Sequence, residues 1–197
     1  MAPFTVLDGV AAPLDQSKVD TDQILPARFL RRPRKEGYGQ FLFRDWMDDP
    51  KFVLNQPAYR QAKILVADRN FGGGSSREQA PWALSDYGIR CVIAADFGDI
   101  FYLNSLKTGL LPIALPAEKC DFIRRKLHET PGATMKVDLP AQTVTGPDGK
   151  TYRFEIDAFR KKCLVEGLDD IGVTLQHEAA IAAFETKYRQ RFDWLFP

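Results

Sequence analysis

In this chain of 197 residues, the types best suited to chemistry gather at Asn70-Phe71-Gly72-Gly73-Gly74-Ser75-Ser76-Arg77-Glu78. The stretch follows the apolar run Lys63 to Ala67 and precedes Ser76 to Tyr87, whose composition is helical, so it falls where open α/β sheets bind ligands. Consecutive glycines let the backbone take positive φ and turn its amides toward an anion, and a helix start adds partial positive charge. Two hydroxyls and a guanidinium come next, and Arg77 is able to hold a carboxylate through two parallel hydrogen bonds. An acidic ligand is the expectation. A purely local reading competes with it, because Ser75-x-x-Glu78 and Ser76-x-x-Gln79 both match a capping box. A cap gives one serine a role but none to the glycines or Arg77, and Pro81 interrupts the ladder of the first turn. No Lys follows the glycines and their spacing is not G-x-G-x-x-G, so neither phosphate fingerprint is met.

A second stretch, Val19-Asp20-Thr21-Asp22-Gln23-Ile24-Leu25-Pro26, sets two carboxylates around a hydroxyl. It lacks the D-x-D-x-D-G pattern and distal Glu of a calcium loop, and an Asx turn leading into a short helix or strand is its bland reading. Behind it, Arg28-Phe29-Leu30-Arg31-Arg32-Pro33-Arg34-Lys35 is basic with apolar residues interleaved, and Gly37-Tyr38-Gly39 follows. A mobile loop at about 27–40 is expected, then an aromatic segment around Phe41 to Trp46. Asn104 and Lys107 share a helix face and read as surface or supporting groups.

These residues need a frame. Phe4 to Leu14 reads as one or two short strands, Lys63 to Ala67 and Arg90 to Ala95 as buried strands, and the glycine loop with its helix as the crossover that makes them a parallel pair. Ile100 to Thr108 is predicted to be a helix closed by Gly109, Leu110 to Leu115 a third strand, and Ala117 to Glu129 an amphipathic helix buried through Cys120, Ile123 and Leu127. Met135 to Thr145 and Thr151 to Ile156 flank Gly146-Pro147-Asp148-Gly149, a hairpin signal. Two C-terminal helices are expected within about 157–190, one ending near Gly167 and one from about Leu175 to Arg189. A mixed α/β domain spanning 1–197, with strands in more than one layer, follows.

Composition narrows the function. With 45% hydrophobic residues the chain is able to build a core, and a net charge of +1 provides no field for DNA, RNA or an anionic membrane. No run approaches the roughly 20 apolar residues of a spanning helix, and Met1 to Asp15 contains no basic leader, so a cytoplasmic protein is expected. Cys91, Cys120 and Cys163 lie far apart in apolar runs, with no C-x-x-C pair, and only His128 and His177 are available beside them. They read as reduced core thiols, with no metal held by this chain.

The motifs together resemble the small-subunit family of bacterial 3-isopropylmalate dehydratases, within the aconitase superfamily. The resemblance rests on Val19 to Pro26, Phe71 to Glu78, Ala80-Pro-Trp-Ala-Leu84, Asp99-Ile-Phe-Tyr102, Gly109-Leu-Leu-Pro-Ile113 and Gly167-Leu-Asp-Asp-Ile-Gly172. It implies the swivelling β/β/α fold, a large-subunit partner in a heterodimer, and a [4Fe–4S] cluster carried by that partner. It implies a hydro-lyase of leucine biosynthesis that interconverts 2- and 3-isopropylmalate through isopropylmaleate. Ser75 would be the catalytic base and Arg77 the carboxylate clamp, assisted by Ser76. Thr21 and Asp22 would line the site, while Phe29 or Leu30 would meet the isopropyl group and Arg31 or Arg32 a second acid, unless the loop is basic because it docks onto the partner. Five positions depart from the family pattern: Lys18, Gly73, Gln79, Lys162 and Glu166 stand where Asn, Cys, His, His and Asn are usual. They keep open a paralogous hydro-lyase acting on citramalate or a substituted maleate, and a non-catalytic acid-binding module is the alternative from another class.

Overall fold

The computed structural model describes residues 1–195. Its centre is β1 (Val6–Pro13), a single strand where the sequence allowed two, with different partners for its two halves. Ala11 to Pro13 pair in parallel with β2 (Ile64–Val66), and Val6 to Val10 pair antiparallel with β5 (Thr134–Asp138). The parallel side continues through β3 (Cys91–Ala94) to β4 (Leu111–Ala114). The antiparallel side continues through β6 (Thr143–Thr145) and β7 (Thr151–Arg153), the expected hairpin. The sheet order is therefore β4-β3-β2-β1-β5-β6-β7. Both flanks of β1 are occupied and its end is buried, which explains why its alternation is weak in the sequence.

The parallel strands are buried on both faces and feed two cores by simple alternation. Leu65, Val92 and Ala94 point into one, while Ile64, Val66, Cys91 and Ile93 point into the other. Helices α1 (Thr21–Ile24), α2 (Gln79–Tyr87) and α3 (Asp99–Thr108) contribute to the first core. Helix α4 (Ala117–Glu129) closes the second with Cys120, Ile123 and Leu127, the three residues its periodicity selects. Helix α5 (Ala158–Glu166) adds Leu164 and stops at Gly167, as expected.

Three elements differ from the sequence reading. The helix expected from Ser76 begins at Gln79, and no side chain caps it, so the capping-box reading of Ser75 and Ser76 fails. A short helix that the sequence reading did not include, α6 (Asp170–Leu175), capped by Asp169, precedes the expected helix from about Leu175 to Arg189, which is α7 (Glu178–Arg191), and is separated from it at Gln176-His177. Composition suggests mobility at 27–40, and the structure fills this segment with short 3-10 turns tied to α2. Arg34 forks onto Asp86 at 2.6 and 3.0 Å, the Tyr38 amide bonds the same carboxylate at 2.7 Å, and the Tyr38 ring is buried.

Candidate active site

The glycine loop leaves β2 and is immediately clasped. Phe71 is fully buried, its amide bonds the Asp96 carbonyl at 3.1 Å and its carbonyl accepts from Gly98 at 2.9 Å. Gly72 has φ +74, and a Cβ there would lie 2.2 Å from the Phe101 ring. Glycine is required at this turn for both its conformation and its surroundings. On the other side of the loop, the Gly72 amide donates to the Val19 carbonyl at 2.6 Å and the Thr21 amide to the Gly73 carbonyl at 3.0 Å. The segment 19–21 and the loop thus form a short parallel bridge, Asp20 opposite Gly73.

Thr21 extends that bridge by a side chain. Its hydroxyl donates to the Ser75 carbonyl at 2.9 Å, and the residue is only 2% exposed. It holds the Ser75 backbone from behind. Why Thr21 sits there follows from its neighbour. Asp20 caps α1 through the Asp22 and Gln23 amides, and Gln23 returns a bond to the Asp20 amide, a complete capping box.

Asp22 points from α1 to the loop. Its Oδ1 accepts from Arg77 at 2.5 Å and from the Ala27 amide at 2.7 Å. The Arg77 bond, then the amide, hold the Asp22 carboxyl below the usual carboxylate range. The Arg77 side chain is largely buried and its guanidinium is fixed, with donors left over for a second carboxylate. Ser75 and Ser76 are exposed, and among the described residues neither hydroxyl has a hydrogen-bond partner. Two unbonded hydroxyls that precede an oriented guanidinium in the chain, on a backbone fixed from two directions, are chemically able to bind a carboxylate.

Segment 27–40 starts at this site because Ala27 is bound to Asp22. Phe29 stacks on Phe41 with centroids 4.4 Å apart and, like Leu30, packs partly against the first core, while Arg31 is exposed. Asp20, Asp22, Ala27, Arg28, Asp45 and Trp46 border a cavity of about 450 Å³. Arg28 and Asp45 form an ion pair across its wall. Sequence reasoning missed Asp45 and Asp86, the acids that hold Arg28 and Arg34, and nothing in local spacing could have paired residues so far apart in the chain.

Four of the five departures fall in two places. A Cβ on Gly73 would come within 3.1 Å of the Asn70 side chain, a tightness that a small shift relieves, and Gln79 opens α2. Lys162 and Glu166 are exposed on α5, which carries none of the site residues. Cys91 and Cys120 are fully buried, and burial raises both thiols, Cys120 to about 11. Thiols so placed do not fit a cluster held by this chain. Among the described residues no group of metal-binding side chains forms, and no helix is long and apolar enough to cross a membrane.

Mixed-sheet topology and the Gly-Ser-Ser-Arg loop define a domain of the aconitase swivel class. Residues 1–118 match the aconitase C-terminal domain model, 123–158 the LeuD_N model, and 170–197 the model for the C-terminal domain of the 3-isopropylmalate dehydratase small subunit. The chain is 53% identical to the 3-isopropylmalate dehydratase small subunit of Xanthobacter autotrophicus, covering 99% of this chain and 100% of that one. It is 50% identical to the one from Leptospira interrogans, covering 100% and 99%. A crystal structure of the 3-isopropylmalate dehydratase from Methanocaldococcus jannaschii superposes with a TM-score of 0.70 at 26% identity, over 90% of this chain and 98% of that one. The chain belongs to the family of 3-isopropylmalate dehydratase small subunits.

Proposed function

We propose that this chain is the small subunit of a 3-isopropylmalate dehydratase, a hydro-lyase of leucine biosynthesis, and that it supplies the base and carboxylate clamp of an active site shared with a large subunit. The observation that carries the reading is the exposed Ser75 hydroxyl beside an Arg77 guanidinium already oriented by Asp22. Interconversion of 2- and 3-isopropylmalate needs a proton removed from a carbon next to a carboxylate as hydroxide leaves the neighbouring carbon, then hydroxide added to the first carbon and a proton delivered to the second. Ser75 Oγ takes and returns it. A serine does this only if its alkoxide is stabilised, and the positive start of α2 and the Arg77 charge act in that sense. Arg77 also binds a substrate carboxylate through the donors that Asp22 leaves unused, with the Ser76 hydroxyl as a second donor. Asp22 accordingly sits behind the clamp, and Thr21 fixes the backbone from which Ser75 projects.

On this reading a [4Fe–4S] cluster belongs to the large subunit and supplies the Lewis-acid pull on the departing hydroxyl. The exposed edges of Phe29 and Leu30 meet the isopropyl group, and Arg31 meets the second carboxylate. Lys162 and Glu166 on α5 lie apart from the loop, so these two changes do not argue for a different acid.

The test is to co-express the chain with its large subunit anaerobically and follow ene-diacid absorbance. Absorbance should rise with 2-isopropylmalate, and Ser75→Ala should lose about 10³-fold in kcat while remaining folded and bound. A rise with citramalate alone would transfer the assignment to a paralogous hydro-lyase. Undiminished turnover in Ser75→Ala would remove Ser75 from the reaction.

A further inference from the structure

Segment 27–40 leaves the site at the Ala27 amide, which Asp22 holds, and of its residues only Tyr38 is buried. A stretch with so little core of its own needs outside ties to keep one shape. At the near end these are the Arg28–Asp45 ion pair and the Phe29–Phe41 stack. At the far end they converge on one carboxylate. Asp86 accepts two bonds from Arg34 and one from the Tyr38 amide, and the Tyr38 hydroxyl in turn donates to the Arg32 carbonyl at 2.7 Å. The Arg34 guanidinium also lies over the Trp82 ring, 4.9 Å from its centroid. The backbones meet here as well, since a Cβ on Gly39 would be 2.6 Å from the Asp86 carbonyl carbon.

Helix α2 does not by itself account for this residue. Asp86 stands in its last turn, where the negative end of the helix dipole disfavours a carboxylate, and no basic residue of that turn offsets it. Arg34 supplies the missing charge from the loop. The other end of α2 begins two residues after Arg77, so a rod of about 10 Å runs from the start of the helix to Asp86. We infer that Asp86 is a positioning residue for substrate selectivity: through Arg34 and Tyr38 it fixes the loop on the helix that follows the clamp, and so sets where Phe29 and Leu30 stand relative to Arg77. This rests on the functional reading above, in which those two side chains meet the isopropyl group. Asp86 acts through the loop and takes no part in the proton transfer.

The complex of the chain with its large subunit, prepared anaerobically, tests the inference with isopropylmalate and citramalate as alternative substrates. Asp86→Asn keeps the shape and removes the charge. The Arg34 side chain is half-exposed, and pairs of that kind add little to global stability, so the variant should stay folded. It should raise KM for isopropylmalate about 10-fold, leave kcat within about twofold, and lower the kcat/KM preference for isopropylmalate over citramalate about 10-fold. Arg34→Gln should do the same from the loop side, and the double variant should be no worse than either single one, because both break one contact. In the free chain, trypsin should cut within 31–35 about 10-fold faster in Asp86→Asn than in wild type. An unchanged preference would overturn the inference whatever the change in Tm, since a merely structural role lowers stability without altering that ratio. Additive losses in the double variant, or unchanged tryptic cutting, would overturn it too. The two readings fail in different ways. A wild-type complex that turns over neither acid sinks the functional reading and takes this inference with it, whereas normal wild-type turnover with an unaltered preference in Asp86→Asn sinks this inference alone.

Discussion

Around Gly72 the backbone is gripped by residues 19–21 on one side and by Phe101 and Gly98 on the other, whereas from Glu178 to Arg191 no side chain is buried at all. The first is tied to the start of α3, whose last turn reaches the start of α6 through the Lys107–Asp170 bond. The first is preorganised by this chain and presents two unbonded hydroxyls. The second has helical sequence and turns apolar side chains such as Phe184 outward. On the proposed reading the difference has a reason for the first region: its reacting groups need to be rigid before substrate arrives.

The sharpest way to break this contrast is to substitute at its two poles. Gly72→Ala forces a positive φ on a residue with a Cβ and drives it into a buried ring, so it should cost about 3 kcal/mol or more and abolish turnover. Phe184→Ala should change the stability of the free chain by less than about 0.5 kcal/mol. Chemical denaturation of both variants without the large subunit measures the difference. Comparable losses would mean that α7 is supported by the chain after all.

Next in size is Thr21→Val, which keeps the shape and removes the bond to the Ser75 carbonyl. It should lower kcat about 10-fold with KM held, at a stability cost of about 1 kcal/mol, and Thr21→Ser should restore the rate. A variant that raised KM alone would mean that Thr21 touches substrate.

These two positions show unequal legibility in the sequence. Glycines followed by Ser-Ser-Arg at a strand end were readable as an acid site because the chemistry is local. The same residues also satisfied a capping box, and only the start of α2 at Gln79 decides against it. That Thr21 serves Ser75 was not readable, since the contact joins residues 54 apart through a two-segment bridge. The strands of the parallel half were readable from their apolar runs, while β1 was blurred by having a parallel and an antiparallel neighbour. Helix α6 was not readable, since its six residues are too few to show a helical period.

Asp22→Asn loosens Arg77 without removing it, and KM for the diacid should rise about 10-fold while kcat changes less. The pH dependence of that ratio carries the sign. The Asp22 carboxyl is depressed by Arg77 and the Ala27 amide, so the pair is complete above the ordinary aspartate value of about 3.9 and is lost only as pH falls through the lower folded value. The ratio of the two KM values should stay flat between about pH 5 and 9. A ratio that bends inside that window would show Asp22 titrating near neutrality, and the clamp would then be a switch.

The smallest effect lies at the edge of the gripped region. Lys18 has φ +55, in the left-handed region, and its amide donates to the Arg69 carbonyl at 2.8 Å, just before the Val19 bond to the loop. Asparagine enters that region more readily than lysine, because its short side chain hydrogen-bonds locally. The same residue is the one the family resemblance led us to expect here. Lys18→Asn should therefore raise stability by about 0.5 kcal/mol, a shift of roughly 1–2 °C in Tm, with kcat and KM unchanged. A fall in Tm of that size would mean that the exposed lysine contributes more than its backbone strain takes away. A change in kcat without a change in Tm would extend the rigid part of the site one residue beyond Val19, back to the turn that carries it.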